Sequence, residues 1–171
     1  MTNCLLTQGF PKDCRDSVGG IKTIYLANKH LIEDITEANG EVTAINMEAG
    51  SYFYRYDLRK QTSNFTETIE SSDENGTVFF EQEANIQLTK LEAQKRNEIF
   101  LIAKADTVMV AEDRNGKKWM LGKENGLTLS GTAETGTAMG DLNGYQLVFA
   151  GQEREPAVEV SGSVIEGTLE S

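Results

Sequence analysis

Histidine and tryptophan each occur once in this 171-residue sequence, cysteine and proline twice each, and the longest apolar stretch runs only from Ile99 to Ala103. Each scarcity excludes something. With His30 as the only imidazole, most acid–base designs are out of reach, because a serine or cysteine nucleophile ordinarily needs a positioned histidine. His30 is therefore read as a surface or structural residue at a strand end or loop. Cys4 and Cys14, with one distant histidine, do not supply four metal ligands. They read as a reduced pair, with a late or intermolecular disulfide as the alternative. The apolar stretch falls far short of the ~20 residues a bilayer requires. Met1 to Gly9 has no basic region followed by an apolar one, so no membrane partner is expected and synthesis is expected in a cytoplasm. Cations are also few, 16 against 27 acidic residues for a net charge of -11, and they form no cluster. Counterion release, which drives most nucleic-acid binding, needs such clusters. A surface bearing carboxylates at intervals instead repels phosphate and lets a nucleic acid pass without sticking, although solubility alone would account for the same composition.

What is present is turn chemistry and alternation. The length suits one domain with a real core, and 39% hydrophobic residues with a mean hydropathy of -0.40 place the chain among soluble globular proteins. Five Asn-Gly dipeptides, at 39, 75, 115, 125 and 143, suit tight turns between antiparallel strands and suggest a meander. From Thr77 to Thr89, Val78, Phe80, Ala84, Ile86 and Leu88 fall on one face, with Glu81, Glu83 and Asn85 on the other. Thirteen residues at ~3.3 Å each span about 40 Å, long for a strand. Ser51 to Glu70 reads as a second long strand, with a phase slip near Arg59 and Lys60 that suggests a bulge. The two form a long β-hairpin across Ser71 to Asn75. A hairpin of that length is expected to lie partly against another subunit.

Thr89-Lys90-Leu91-Glu92 has the capping-box pattern, so a helix is predicted over 90–103, with Ile99 to Ile102 ambiguous between helix and strand. Thr107 to Val110 and Lys118 to Leu121 read as a short hairpin, Leu127 to Ala138 as a strand or loop of small residues, and Tyr145 to Phe149 as a strand. Pro156 separates that strand from a last one around Ala157 to Val160, and 161–171 reads as a mobile arm. The fold class expected is mainly β, an antiparallel β-sandwich or barrel with one flanking α-helix.

Candidate chemistry is thin. The pairs Glu33-Asp34, Asp73-Glu74 and Glu112-Asp113 are expected in an acidic chain, and neighbours on a strand face opposite ways. Gly131 to Gly140 lacks the Gly-Lys-Ser/Thr ending of a phosphate loop. No catalytic, cofactor or metal residue is assigned, and an enzyme is not expected. Tyr52, Phe53, Tyr54, Tyr56, Phe65, Phe79 and Phe80 crowd the hairpin and are the candidate subunit-interface residues. Core packing is the alternative for Tyr52, Tyr54, Tyr56 and Phe80. Phe53 and Phe79 lie opposite the main apolar row and are expected to meet a second surface, since a two-sided apolar strand must be covered twice.

The segments Cys4 to Gly9, Asp13 to Ile21, Gly140 to Tyr145 and Gly151 to Ala157, together with the layout of the chain, resemble phage tail tube proteins, in particular those of Bacteroidetes-infecting phages. The resemblance implies a single β domain over 1–171, with extended arms at 1–18 and 161–171. It also implies hexameric rings stacked into a hollow tube in the virion, contacts with other tail proteins, and DNA passing through without specific binding. Glu67, Glu81 and Glu83 would then face the lumen. A head–tail connector, tail terminator or auxiliary capsid protein is the alternative of the same class. A virion-associated glycosidase using a carboxylate pair is the alternative of another.

Overall fold

The structure, a computed structural model, describes residues 4–170. Eleven strands form two sheets: β1 (Ile21–Asn28), β2 (Ile32–Ala38), β3 (Glu41–Met47), β4 (Tyr54–Asp57), β5 (Asn64–Ser72), β6 (Thr77–Thr89), β7 (Thr107–Asp113), β8 (Lys118–Leu121), β9 (Thr128–Glu134), β10 (Gly144–Glu153) and β11 (Val158–Val160). The larger sheet has the order β2-β3-β11-β8-β7-β1-β4 and the smaller β5-β6-β10-β9. Among the strand pairs of the described residues, β11 beside β3 is parallel and the others antiparallel; outside the strands, Phe53 makes a further parallel bridge to Leu169. One helix, α1 (Ala93–Ile102), joins β6 to β7. No helix among the described residues is long and apolar enough to cross a membrane. The fold is thus mainly β, a two-sheet sandwich with one helix and a long hairpin.

Strands β1, β7 and β8 hold the sandwich together because they are apolar on both faces. Ile24, Leu26, Met109, Ala111 and Leu121 point toward the smaller sheet and meet Ala84, Ile86, Leu147 and Phe149 in the core between the two layers. The alternate residues Tyr25, Ala27, Val108, Val110 and Met120 build a second core on the other face, with Val42, Ile45, Phe53 and Ile165. Period-2 alternation explains both cores at once: along the continuously buried runs 23–27 of β1 and 107–111 of β7, successive side chains turn to opposite faces.

The Asn-Gly pairs close hairpins at three of their five sites. Asn39 and Gly40 have φ of 55° and 80°, the geometry of the tight turn between β2 and β3. Asn75-Gly76 lies in the β5–β6 turn, and Asn115-Gly116 in the β7–β8 turn, where the Asp113 carboxylate accepts N–H bonds from Asn115 and Lys117, both at 2.9 Å. The order of strands is not a meander, however: β1 inserts between β7 and β4, and β10 between β6 and β9. Gly144 serves a different purpose, because a Cβ there would lie 2.1 Å from the Leu88 carbonyl oxygen across the β6–β10 pair.

Several expectations need correction. Thr77–Thr89 is a single strand as predicted, but Ser51 to Glu70 is two strands in different sheets. What reads as a bulge near Arg59 and Lys60 is the crossing between layers, made at Gln61 with φ of 60°. The capping box does not form, because Thr89 ends β6 and Lys90 takes φ of 67°. Asn143 holds this connection instead, its carbonyl accepting from Lys90 N–H and its side chain from Leu91 N–H. The helix therefore begins at Ala93, and Ile99 to Ile102 are helical. The segment after β11 is docked: Ile165 is fully buried, and Phe53 N–H donates to the Thr168 carbonyl at 2.9 Å. At the other terminus, residues 4–20 are exposed and lack regular structure, held at Val18 by two hydrogen bonds with the Asn115 side chain.

Candidate functional site

The outer face of the smaller sheet has an unusual charge. Strands β5, β6, β9 and β10 contain six glutamates and no lysine, arginine or histidine, so nothing within the sheet neutralises them. Strand parity puts Glu70, Glu81, Glu83 and Glu134 on the face turned away from the core. Amides rather than cations hold three of these carboxylates in place. Gln152 donates to Glu81 at 2.9 Å, Gln146 to Glu134 at 2.7 Å and Asn85 to Glu83 at 3.2 Å. A neutral donor orients a carboxylate without cancelling its charge, so the face keeps a negative potential.

Glu67 does not belong with them. It lies on the opposite face of β5, where one carboxylate oxygen accepts from Gln82 Nε2 at 2.9 Å and from Ala157 N–H at 2.7 Å. Gln82, 2% exposed, in turn accepts from Gly122 N–H at 2.9 Å. The chain of bonds ties the hairpin to the larger sheet, and neither the buried glutamine nor its partner was legible from alternation, which marks Gln82 as one polar residue in an apolar row.

The β5–β6 hairpin outreaches its neighbour. Pairing of β6 with β10 stops at Phe80 opposite Glu153, so Thr77 to Phe79 pair with β5 alone. Ile69 and Val78, 66% and 53% exposed, face the core side of the sheet but project past the core. Of the aromatic interface candidates, Phe53 is fully buried in the second core and is not a surface residue. Tyr52 and Tyr54 are exposed, Phe79 and Phe80 half-buried, and Tyr56 and Phe65 half-buried against the first core.

At the opposite end of the sandwich, α1 and β4 border a groove of about 390 Å³ with apolar walls from Ile86, Leu88, Ile99 and Ile102. Its carboxylates are Asp57, Glu92 and Glu98 and its cations Arg55, Arg59 and Lys95. Arg55 pairs with Asp57 at 2.9 Å and Lys95 with Glu92 at 3.7 Å, whereas Arg59 bonds the Thr89 hydroxyl. Burial, reinforced by the Glu98 charge, pushes the Tyr56 phenol above its usual range.

No protein-family model, curated protein or solved structure matched this chain.

The remaining sequence candidates scatter. His30 is exposed in the 3-10 turn Lys29–Leu31, and Cys4 and Cys14 are exposed on the N-terminal segment. Glu112 is engaged by Lys22 at 2.7 Å and by the Tyr25 hydroxyl, while Asp113 caps its turn. These placements do not gather a catalytic constellation around one point.

Proposed function

We propose that this protein is a non-enzymatic, self-assembling structural subunit, and that it is a phage tail tube protein whose rings, hexameric by the resemblance stated above, stack into the conduit for genome ejection. The observation that carries this reading is the outer face of the β5-β6-β10-β9 sheet: broad, polar, glutamate-bearing and free of cations. A wall past which DNA must move without adhering needs that character, because phosphate is repelled and no lysine or arginine offers a contact. Glu81 and Glu83, joined by Glu70 and Glu134, take the lumen role; Glu67, bonded inside the sandwich, does not.

Two further features favour assembly. The hairpin tip exposes Ile69 and Val78, and the N-terminal segment exposes Leu6 at 100% and Phe10 at 86%. Ile69 and Val78 are diagonal neighbours on one face of the hairpin, and adjoining exposed apolar groups, unlike singly scattered ones, are candidates for a contact surface. The partners are then sister copies and neighbouring tail proteins in the virion. Electron microscopy and sedimentation of the purified chain test the reading: rings or tubes are expected, and a compact monomer at high concentration would end it. Glu81→Gln with Glu83→Gln is expected to leave assembly intact while slowing DNA ejection; unchanged ejection kinetics would remove the lumen assignment.

A further inference from the structure

Residues 61–89, the crossing and the hairpin it feeds, contain six carboxylates and no cation, yet the segment is bounded by Arg59-Lys60 on one side and Lys90 on the other. Because the chain runs out and back, both boundaries fall at the same end. Asn64 pairs with Asn85 near the base, Ser72 with Thr77 at the tip, and Arg59 reaches Thr89. The hairpin is thus a polar rod: Glu70, Asp73 and Glu74 crowd one end, Arg59, Lys60 and Lys90 the other, about 40 Å apart along the strand. None of these six side chains takes part in an ion pair within the described residues. The cationic end adjoins the apolar groove under α1, whose own lining charges balance; Lys60 and Lys90 stand beside that lining, each next in the chain to a lining residue, Arg59 and Thr89, and add a positive surplus at its edge. The acidic end carries the exposed Ile69 and Val78.

We propose that copies of this protein join head to tail, the β5–β6 tip of one copy seating in the groove at the hairpin base of the next. Ile69 and Val78 cover the apolar walls, and Asp73 and Glu74 meet Lys60 and Lys90. The two surfaces differ, so the contact is heterologous and propagates into a ring or a filament rather than stopping at a dimer. Such a contact also overcomes a general difficulty, since two bodies of net charge -11 repel unless local charge is arranged to attract. The inference rests on the self-assembly reading above and specifies its contact.

A charge swap tests it with the full chain. One variant carries Asp73→Lys and Glu74→Lys, the other Lys60→Glu and Lys90→Glu; all four positions are exposed, and circular dichroism confirms that each variant folds. Each alone is expected to need a roughly tenfold or greater concentration to assemble, by sedimentation velocity and microscopy, because like charges then face each other. An equimolar mixture is expected to recover assembly, since every tip then finds a base of opposite sign. Wild-type protein that assembles while both variants assemble equally well, or a mixture that fails to recover, overturns the head-to-tail contact and leaves the self-assembly reading standing. Wild-type protein that stays monomeric overturns both.

Discussion

Replacing Gln82 by leucine removes the polar link between the two sheets. The side chain is 2% exposed, accepts from Gly122 N–H and donates to Glu67, so the substitution leaves a buried amide without its acceptor and deprives Glu67 of one of its two donors. An unsatisfied buried group costs about 1–3 kcal/mol, and a bond to a charged group is worth about 1.5–3. The added apolar side chain returns part of this, giving a net loss of roughly 2–4 kcal/mol. For a chain of this size the melting temperature should fall by roughly 4–16 °C, at about 2–4 °C per kcal/mol. Urea denaturation in dilute solution is the assay, run as a cycle with Glu67→Leu and the double variant. Loss of both partners leaves no unpaired carboxylate, so a coupling of about 1–2 kcal/mol is expected. Additive effects, or a single substitution costing below about 0.5 kcal/mol, would refute the inward assignment of Glu67.

Phe53→Ala should destabilise the isolated chain by about 3–5 kcal/mol, because the ring is fully buried in the second core; a monomer of unchanged stability would return Phe53 to the surface. Gly144→Ala should cost about 1–3 kcal/mol by forcing β10 away from Leu88, measured by the same denaturation; a neutral effect would mean that the strands separate freely there. The Asp141 carboxylate accepts N–H bonds from Ala138 and Thr137, which hold its pKa below the ordinary carboxylate value. Its folded pKa being depressed, the order it lends to the loop 135–143 is present above the ordinary value and lost as pH falls through the depressed one. The Thr137 and Ala138 amide resonances should report that low midpoint, and a midpoint at about 3.9 or above would contradict it. Burial raises two phenols, Tyr56 and Tyr25, so Tyr56→Phe should reduce by one the phenols that ionise above the normal tyrosine range in an absorbance titration; an unchanged number would contradict the shift at Tyr56.

The long strand Thr77–Thr89, the hairpin at Asn75-Gly76, the β7–β8 hairpin and the mainly-β class were legible because alternation and Asn-Gly chemistry are local signals. The capping pattern misplaces the helix start because Asn143, 52 residues away from Leu91, supplies the bonds at this connection. Ser51 to Glu70 read as one strand for a similar reason: a phase slip marks a break in pattern but does not say which sheet follows it.

By itself, then, the order of residues determined which stretches extend, which faces are apolar and where the charge runs one-sided, since each depends on neighbours a few positions apart. Only the tertiary structure decided that Phe53 is core, that Glu67 turns inward toward Gln82, and that the base of the hairpin adjoins the groove under α1. Those outcomes depend on which strands pair and which layers stack. Such contacts join residues far apart in the chain, and no local period encodes them.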